Sequence, residues 1–153
     1  MNLIEGEINT SEKKFAIILS KYNESIGKGL LKGAKEGLLK NGVKEENIDL
    51  VKIPGAFEIP VTADRLASKK KYDAIICLGA VIKGETAHFE YVSESCSSGI
   101  LQVSLKHSLP IIFGVLTTYT VDQAFERSGS NDNNKGYESA LTAIEMIKLF
   151  KSF

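Results

Sequence analysis

A chain of 153 residues has room for one domain with a buried core. Its 19 lysines and arginines balance 19 aspartates and glutamates, so it lacks the basic excess that drives nucleic-acid binding. No apolar run approaches the roughly 20 residues that span a bilayer, and a formal net charge of zero leaves self-association unopposed.

The segment Met1-Asn2-Leu3-Ile4-Glu5-Gly6-Glu7 carries no charged-then-apolar leader pattern, so a cytoplasmic protein is expected. Phe15–Leu19 is continuously apolar, which predicts a strand covered on both faces, as in a parallel sheet. A helix follows, with Ile26, Leu30, Ala34 and Leu38 on one stripe, Asn23 or Ser25 as its cap, and Asn41-Gly42 as its stop. Ile48–Ile53 is a second strand ended by Pro54-Gly55. Ala56–Pro60 then opens a helix through Ala63, Leu66 and Ala67, and Lys69–Lys71 is its solvated end.

Ala74–Leu78 is the third strand, and Gly79–His88 reads as the strand-to-helix turn after it. The next helix holds Val92, Cys96, Gly99, Ile100, Val103 and Leu105, and ends near His107, which reads as a structural residue of the last turn. Ile111–Leu116 is the fourth strand. Thr120–Gln123 matches a capping box for a short helix ending near Arg127. A polar loop, Gly129–Asn134, leads into a final helix from about Gly136 to Phe150. Cys77 and Cys96 show no CxxC spacing and predict two free, buried thiols. His88 and His107 lie far apart without cysteine partners, so no metal is expected.

Strands alternating with helices predict one domain over 1–153: a three-layer α/β sandwich whose four-stranded parallel sheet, in the flavodoxin-like order 2-1-3-4, is flanked by helices. Right-handed crossovers place all four strand ends on one edge, where ligands of open α/β sheets bind. The tips there are Tyr22-Asn23, Pro54–Glu58, Gly79–His88 and Gly114–Thr118. The third strand ends at Leu78-Gly79, without the aspartate of a phospho-receiver domain. Neither GxxxxGK[ST] nor GxGxxG is present, so ATP and NAD are not expected as cofactors.

Each tip residue allows two readings. Tyr22, Phe57 and Phe113 either stack on a flat heterocycle or cover the sheet end. Glu58 either accepts from the hydroxyls of a polyol or simply favours a helix start. The backbone at Ala80, Val81 and Ile82 either pairs with an imide-like edge or is a plain turn. Free N–H groups beside Thr86 suit an anion, and His88, with Glu85 and Glu90 near it in sequence, is either a proton carrier or a structural residue. Arg127 and Lys135 either bind phosphate or pair with neighbouring carboxylates.

Pro54–Pro60, Gly79–His88, Phe113–Thr118, Gln123–Arg127 and Asn134-Lys135-Gly136 together resemble the lumazine synthase family, in order along nearly the whole chain. The resemblance implies condensation of 5-amino-6-(D-ribitylamino)uracil with 3,4-dihydroxy-2-butanone 4-phosphate, with no cofactor or metal. Tyr22 would stack on the pyrimidine, where the family usually has phenylalanine or tryptophan. Ala56, Phe57 and Glu58 would hold the ribityl chain, and Ala80, Val81 and Ile82 would meet the pyrimidine through main chain. Glu85, Thr86, Arg127 and Lys135 would bind the butanone phosphate, and His88 would move protons. Phe113, Arg127 and Lys135 would come from an adjacent subunit. The resemblance also implies a pentamer, with a bias towards an icosahedral shell of pentamers, an arm over residues 1–13 pairing with a neighbour's sheet, and riboflavin synthase as a candidate partner. A non-catalytic lumazine- or flavin-binding carrier, or a shell protein, is the alternative.

Overall fold

All six residues of β1, Phe15–Ser20, are buried, as a continuous apolar run demands of the strand at the centre of a sheet. The computed structural model describes residues 1–153. Its strands β1, β2 (Ile48–Ile53), β3 (Ala74–Ile82) and β4 (Ile111–Thr118) form one sheet in the order β2-β1-β3-β4, every pair parallel. Ile17 sits between Leu50 and Ile76, which sets the register of the inner strands.

Alternate side chains of the sheet feed two cores. Phe15, Ile17, Leu19, Ile76 and Leu78 pack against α1 (Glu24–Lys40) and α5 (Lys135–Phe150). Ala16, Ile18, Ile75 and Cys77 pack against α2 (Ile59–Ala67) and α3 (His88–His107). Each fully buried isoleucine or leucine contributes about 1.5–3 kcal/mol relative to exposure. This is the three-layer arrangement that the alternation of elements predicts. Both cysteines are free and buried, and burial pushes the Cys96 thiol up to about 12 and that of Cys77 higher still, which leaves them poor nucleophiles.

The helix ends follow local chemistry. Asn41 stops α1, its side chain donating to the Gly37 carbonyl, and Gly42 takes the left-handed φ of 89°. The capping box of α4 (Val121–Glu126) is present in both halves: Gln123 N–H donates to Thr120 Oγ1, and Gln123 Oε1 accepts from Thr120 N–H. His107, in the last turn of α3, lies 2.7 Å from Asp64 Oδ1, tying α3 to α2. Helices α1 and α5 approach so closely that a Cβ on Gly136 would stand 1.9 Å from the Leu30 carbonyl oxygen. No helix is long and apolar enough to cross a membrane.

Candidate active site

The carboxyl ends of the strands are uneven, and that unevenness makes the site. The β1–β3 ladder stops at Leu19–Leu78, whereas β3 runs on to Ile82 beside β4, with Val81 opposite Thr117 and Ile82 opposite Thr118. The sequence predicts a turn from Gly79. Instead the strand continues, because β4 also extends two residues past its expected end and supplies a partner. Beyond Leu78 the main chain of β3 therefore has no strand partner on the side that β1 has vacated. The Ala80 carbonyl points to that side, and strand alternation turns the N–H and C=O of Ile82 the same way.

The chain leaving β1 crosses this gap. Tyr22 is 73% exposed, and Asn23 adopts the left-handed region at φ 60°. Asn23 does not cap α1 with its side chain, as the sequence suggests. Its Nδ2 instead donates to the Ala80 carbonyl at 3.0 Å, fastening the start of α1 to the overhang of β3. An asparagine three residues past the end of a buried strand was the available signal for this role.

Opposite stands a short 3-10 turn, Ala56–Glu58, closed by Glu58 N–H donating to the Gly55 carbonyl. Ala56 is buried, Phe57 is 60% exposed, and the Glu58 carboxylate has no hydrogen-bond or ion-pair partner. Phe89, Tyr91 and Val92, to which the sequence assigned no part in the site, contribute from the first turns of α3. Together with Tyr22, Ala80–Ile82, Thr86 and His88 these groups enclose a cavity of about 670 Å³, the size of a site for one heterocycle and its substituents.

The rim of the cavity is the loop from Lys83 to Ala87. The backbone N–H groups of Gly84, Glu85, Thr86 and Ala87 donate to nothing in the chain, and Thr86 Oγ1 accepts from His88 N–H at 3.4 Å. Four free donors just before the N-terminus of a 20-residue helix form an anion seat. Glu85 lies on this exposed loop without lining the cavity, while His88 lines it. Glu90 is turned to Lys83 at 3.8 Å and not to His88.

Three further sequence candidates gather elsewhere. Phe113, Arg127 and Lys135 surround a separate concavity of about 510 Å³ at the open β4 edge, which shares no lining residue with the first. Within one chain Arg127 donates to the Gln123 carbonyl and lies 3.4 Å from Glu126, while Lys135 pairs with Glu138 at 2.9 Å. Their local carboxylate pairs are formed. No group of three or more His, Cys, Asp or Glu side chains is gathered anywhere in the chain.

A parallel sheet of order β2-β1-β3-β4, with a mainly apolar cavity over its carboxyl ends, defines a small-molecule-binding α/β protein of flavodoxin-like topology. Residues 12–151 match the family model described as 6,7-dimethyl-8-ribityllumazine synthase. The chain belongs to that family, which places it in riboflavin biosynthesis.

Proposed function

We propose that the protein condenses 5-amino-6-(D-ribitylamino)uracil with 3,4-dihydroxy-2-butanone 4-phosphate to 6,7-dimethyl-8-ribityllumazine, releasing inorganic phosphate and water. One observation carries this assignment. In a chain of this family, an open backbone edge, an unpaired carboxylate and a run of free N–H donors converge on one cavity. Each matches a different part of the two substrates.

The Tyr22 ring stacks on the pyrimidine, whose flat edge meets the main chain of Ala80, Val81 and Ile82, with the Ile82 N–H and C=O turned to the side that β1 has vacated. The Glu58 carboxylate accepts from the ribityl hydroxyls, with Ala56 and Phe57 against the chain. Phosphate of the second substrate sits on the N–H groups of Gly84–Ala87 and the Thr86 hydroxyl. Glu85 contributes there through its N–H, since its carboxylate would repel a dianion. Condensation of the 5-amino group with the ketone, elimination of phosphate and ring closure each require a proton moved. His88, at the mouth of the seat, both gives and takes it. Much of the remaining acceleration is positioning, because two substrates must meet in one orientation.

The second concavity completes the site from a neighbouring copy: Phe113 adds an aromatic wall, and Arg127 and Lys135 add charge to the phosphate. The separation of the two half-sites on one chain supports this arrangement. A closed ring, the pentamer, then carries one complete site per interface, and a shell of such rings is the larger assembly, with riboflavin synthase as its candidate companion. Of the arm over residues 1–13, Gly6 lies against the α5 backbone, Ile8 packs on the core and Thr10 bonds the Asn41 carbonyl, so only the exposed stretch around Leu3 and Ile4 is left to reach a neighbour's β2 edge.

Turnover is tested by mixing the protein with both substrates and following lumazine absorbance, omitting each substrate in turn. Pyrimidine binding without product would make the protein a carrier. Shared sites are tested by mixing His88→Ala and Arg127→Ala chains after dissociation and reassembly. Activity returns if the two residues come from different copies and stays absent if they come from one.

A further inference from the structure

The seat loop Gly84–Ala87 makes no backbone hydrogen bond as donor, and a Cβ added at Gly84 would meet nothing within 4 Å. Such a loop has little to hold its geometry, yet anion binding requires its donors to converge. What fixes it lies at its two ends, and both ends meet the same side chain. At the entry, Lys83 N–H donates to the Thr118 carbonyl at 2.9 Å, and Lys83 Nζ stands 5.7 Å over the ring of Tyr119. At the exit, the Phe89 ring lies 6.3 Å from the Tyr119 ring at an interplanar angle of 43°. Tyr119 is itself held from behind, its N–H donating to Gln123 Oε1 at 2.9 Å as part of the α4 capping network. The chain therefore runs from a rigid helix cap, through one aromatic ring, to both ends of the free loop.

We propose that Tyr119 is a positioning residue for the phosphorylated substrate, clasping Lys83 and Phe89 so that the N–H groups of Gly84–Ala87 and the His88 imidazole face one point. This rests on the assignment of the loop as the phosphate seat. The ring is 69% exposed, contributes little to the core, and lines neither the cavity over the strand ends nor the concavity around Arg127 and Lys135. Its hydroxyl has no partner in the chain, so the π-face and the bulk carry the function. The surface alternative, an aromatic side chain that merely shields the β4–α4 turn, would make substitutions at this position neutral for either substrate.

The test compares Tyr119→Ala, Tyr119→Leu and Tyr119→Phe with the parent, as assembled protein. Loss of the ring pair and of the cation contact should raise KM for the phosphorylated substrate by roughly 5- to 50-fold in Tyr119→Ala, with the pyrimidine dissociation constant unchanged. Tyr119→Leu, which keeps bulk without a π-face, falls between, and Tyr119→Phe restores the parent constants. Calorimetric titration with inorganic phosphate gives the same ranking without turnover. If the parent binds phosphate but forms no lumazine, the catalytic assignment fails while this ranking still decides the clasp. Equal constants for Tyr119→Ala and the parent, or an equal loss for both substrates, would overturn it.

Discussion

Asn134 links the architecture to the cationic half-site, and its substitution gives the sharpest structural test. Only 8% exposed, it caps α5 by accepting Tyr137 N–H at 3.0 Å through Oδ1. Its Nδ2 donates to the carbonyls of Gly29, on α1, and Gly129, on the loop, at 3.1 and 2.9 Å. The amide also fills the space over Gly33, where a Cβ would stand 2.0 Å from Oδ1. Losing the cap costs about 1 kcal/mol, and losing two donors to part-buried carbonyls costs about 1 kcal/mol each. Asn134→Ala should therefore destabilise by about 2–4 kcal/mol. Asn134→Asp keeps the cap oxygen but turns a carboxylate oxygen towards two carbonyl oxygens, so it should destabilise at least as much. Guanidinium unfolding at one fixed protein concentration measures this, since assembly itself stabilises the folded chain. Lys135 N–H bonds the Arg127 carbonyl at 2.8 Å, so Asn134→Ala should also weaken binding of the phosphorylated substrate. A loss below about 1 kcal/mol in Asn134→Ala, or an Asn134→Asp variant as stable as the parent, would refute the part given to this side chain.

Three further outcomes follow, two from the site and one from the contact between α2 and α3. His88→Ala should lower the turnover rate by about 10- to 10⁴-fold, measured under saturation with both substrates; an unchanged rate would remove the imidazole from proton transfer. Glu58→Ala should weaken pyrimidine binding by about 10- to 150-fold, as expected for hydrogen bonds to a charged acceptor, and leave KM for the phosphorylated substrate alone. Glu58→Gln, retaining one acceptor oxygen, should lose less. The hydrogen bond from His107 holds the Asp64 carboxyl below its ordinary value of 3.8, with Lys106 adding to it. A depressed carboxylate stabilises above its unfolded value, and the contribution disappears as pH falls through the folded one. Unfolding free energy measured from about pH 5 down to about pH 2 should therefore fall less steeply in Asp64→Asn than in the parent; identical slopes would show that the contact does not titrate with folding.

Much of the architecture was legible because the strands announce themselves. Phe15–Leu19 and Ala74–Leu78 are apolar without interruption, which only a doubly covered parallel strand requires. Thr120–Gln123 displayed its capping box in the sequence, and Asn41-Gly42 its stop. The overhang of β3 was hidden by Gly79 and Gly84, which punctuate a sequence whether or not a neighbouring strand holds it straight. Asn23 looked like a helix cap because its true partner, the Ala80 carbonyl, lies 57 residues away. Phe89 and Val92 share helical spacing with the buried Cys96, and Tyr91 falls off that stripe, so nothing local marked them as cavity walls. For Arg127 and Lys135 the nearest carboxylates were visible in the sequence, and within one chain Glu126 and Glu138 are where the charges go. A role in phosphate binding needs a surface that a single chain does not supply.

The central claim is a chemical one, and the amounts of its two products test it most directly. Protein in excess is mixed with both substrates, and 6,7-dimethyl-8-ribityllumazine and inorganic phosphate are quantified in the same quenched samples. One phosphate per lumazine is expected, both rising together and both absent when either substrate is omitted. Phosphate release without lumazine, or bound pyrimidine with neither product, would contradict it.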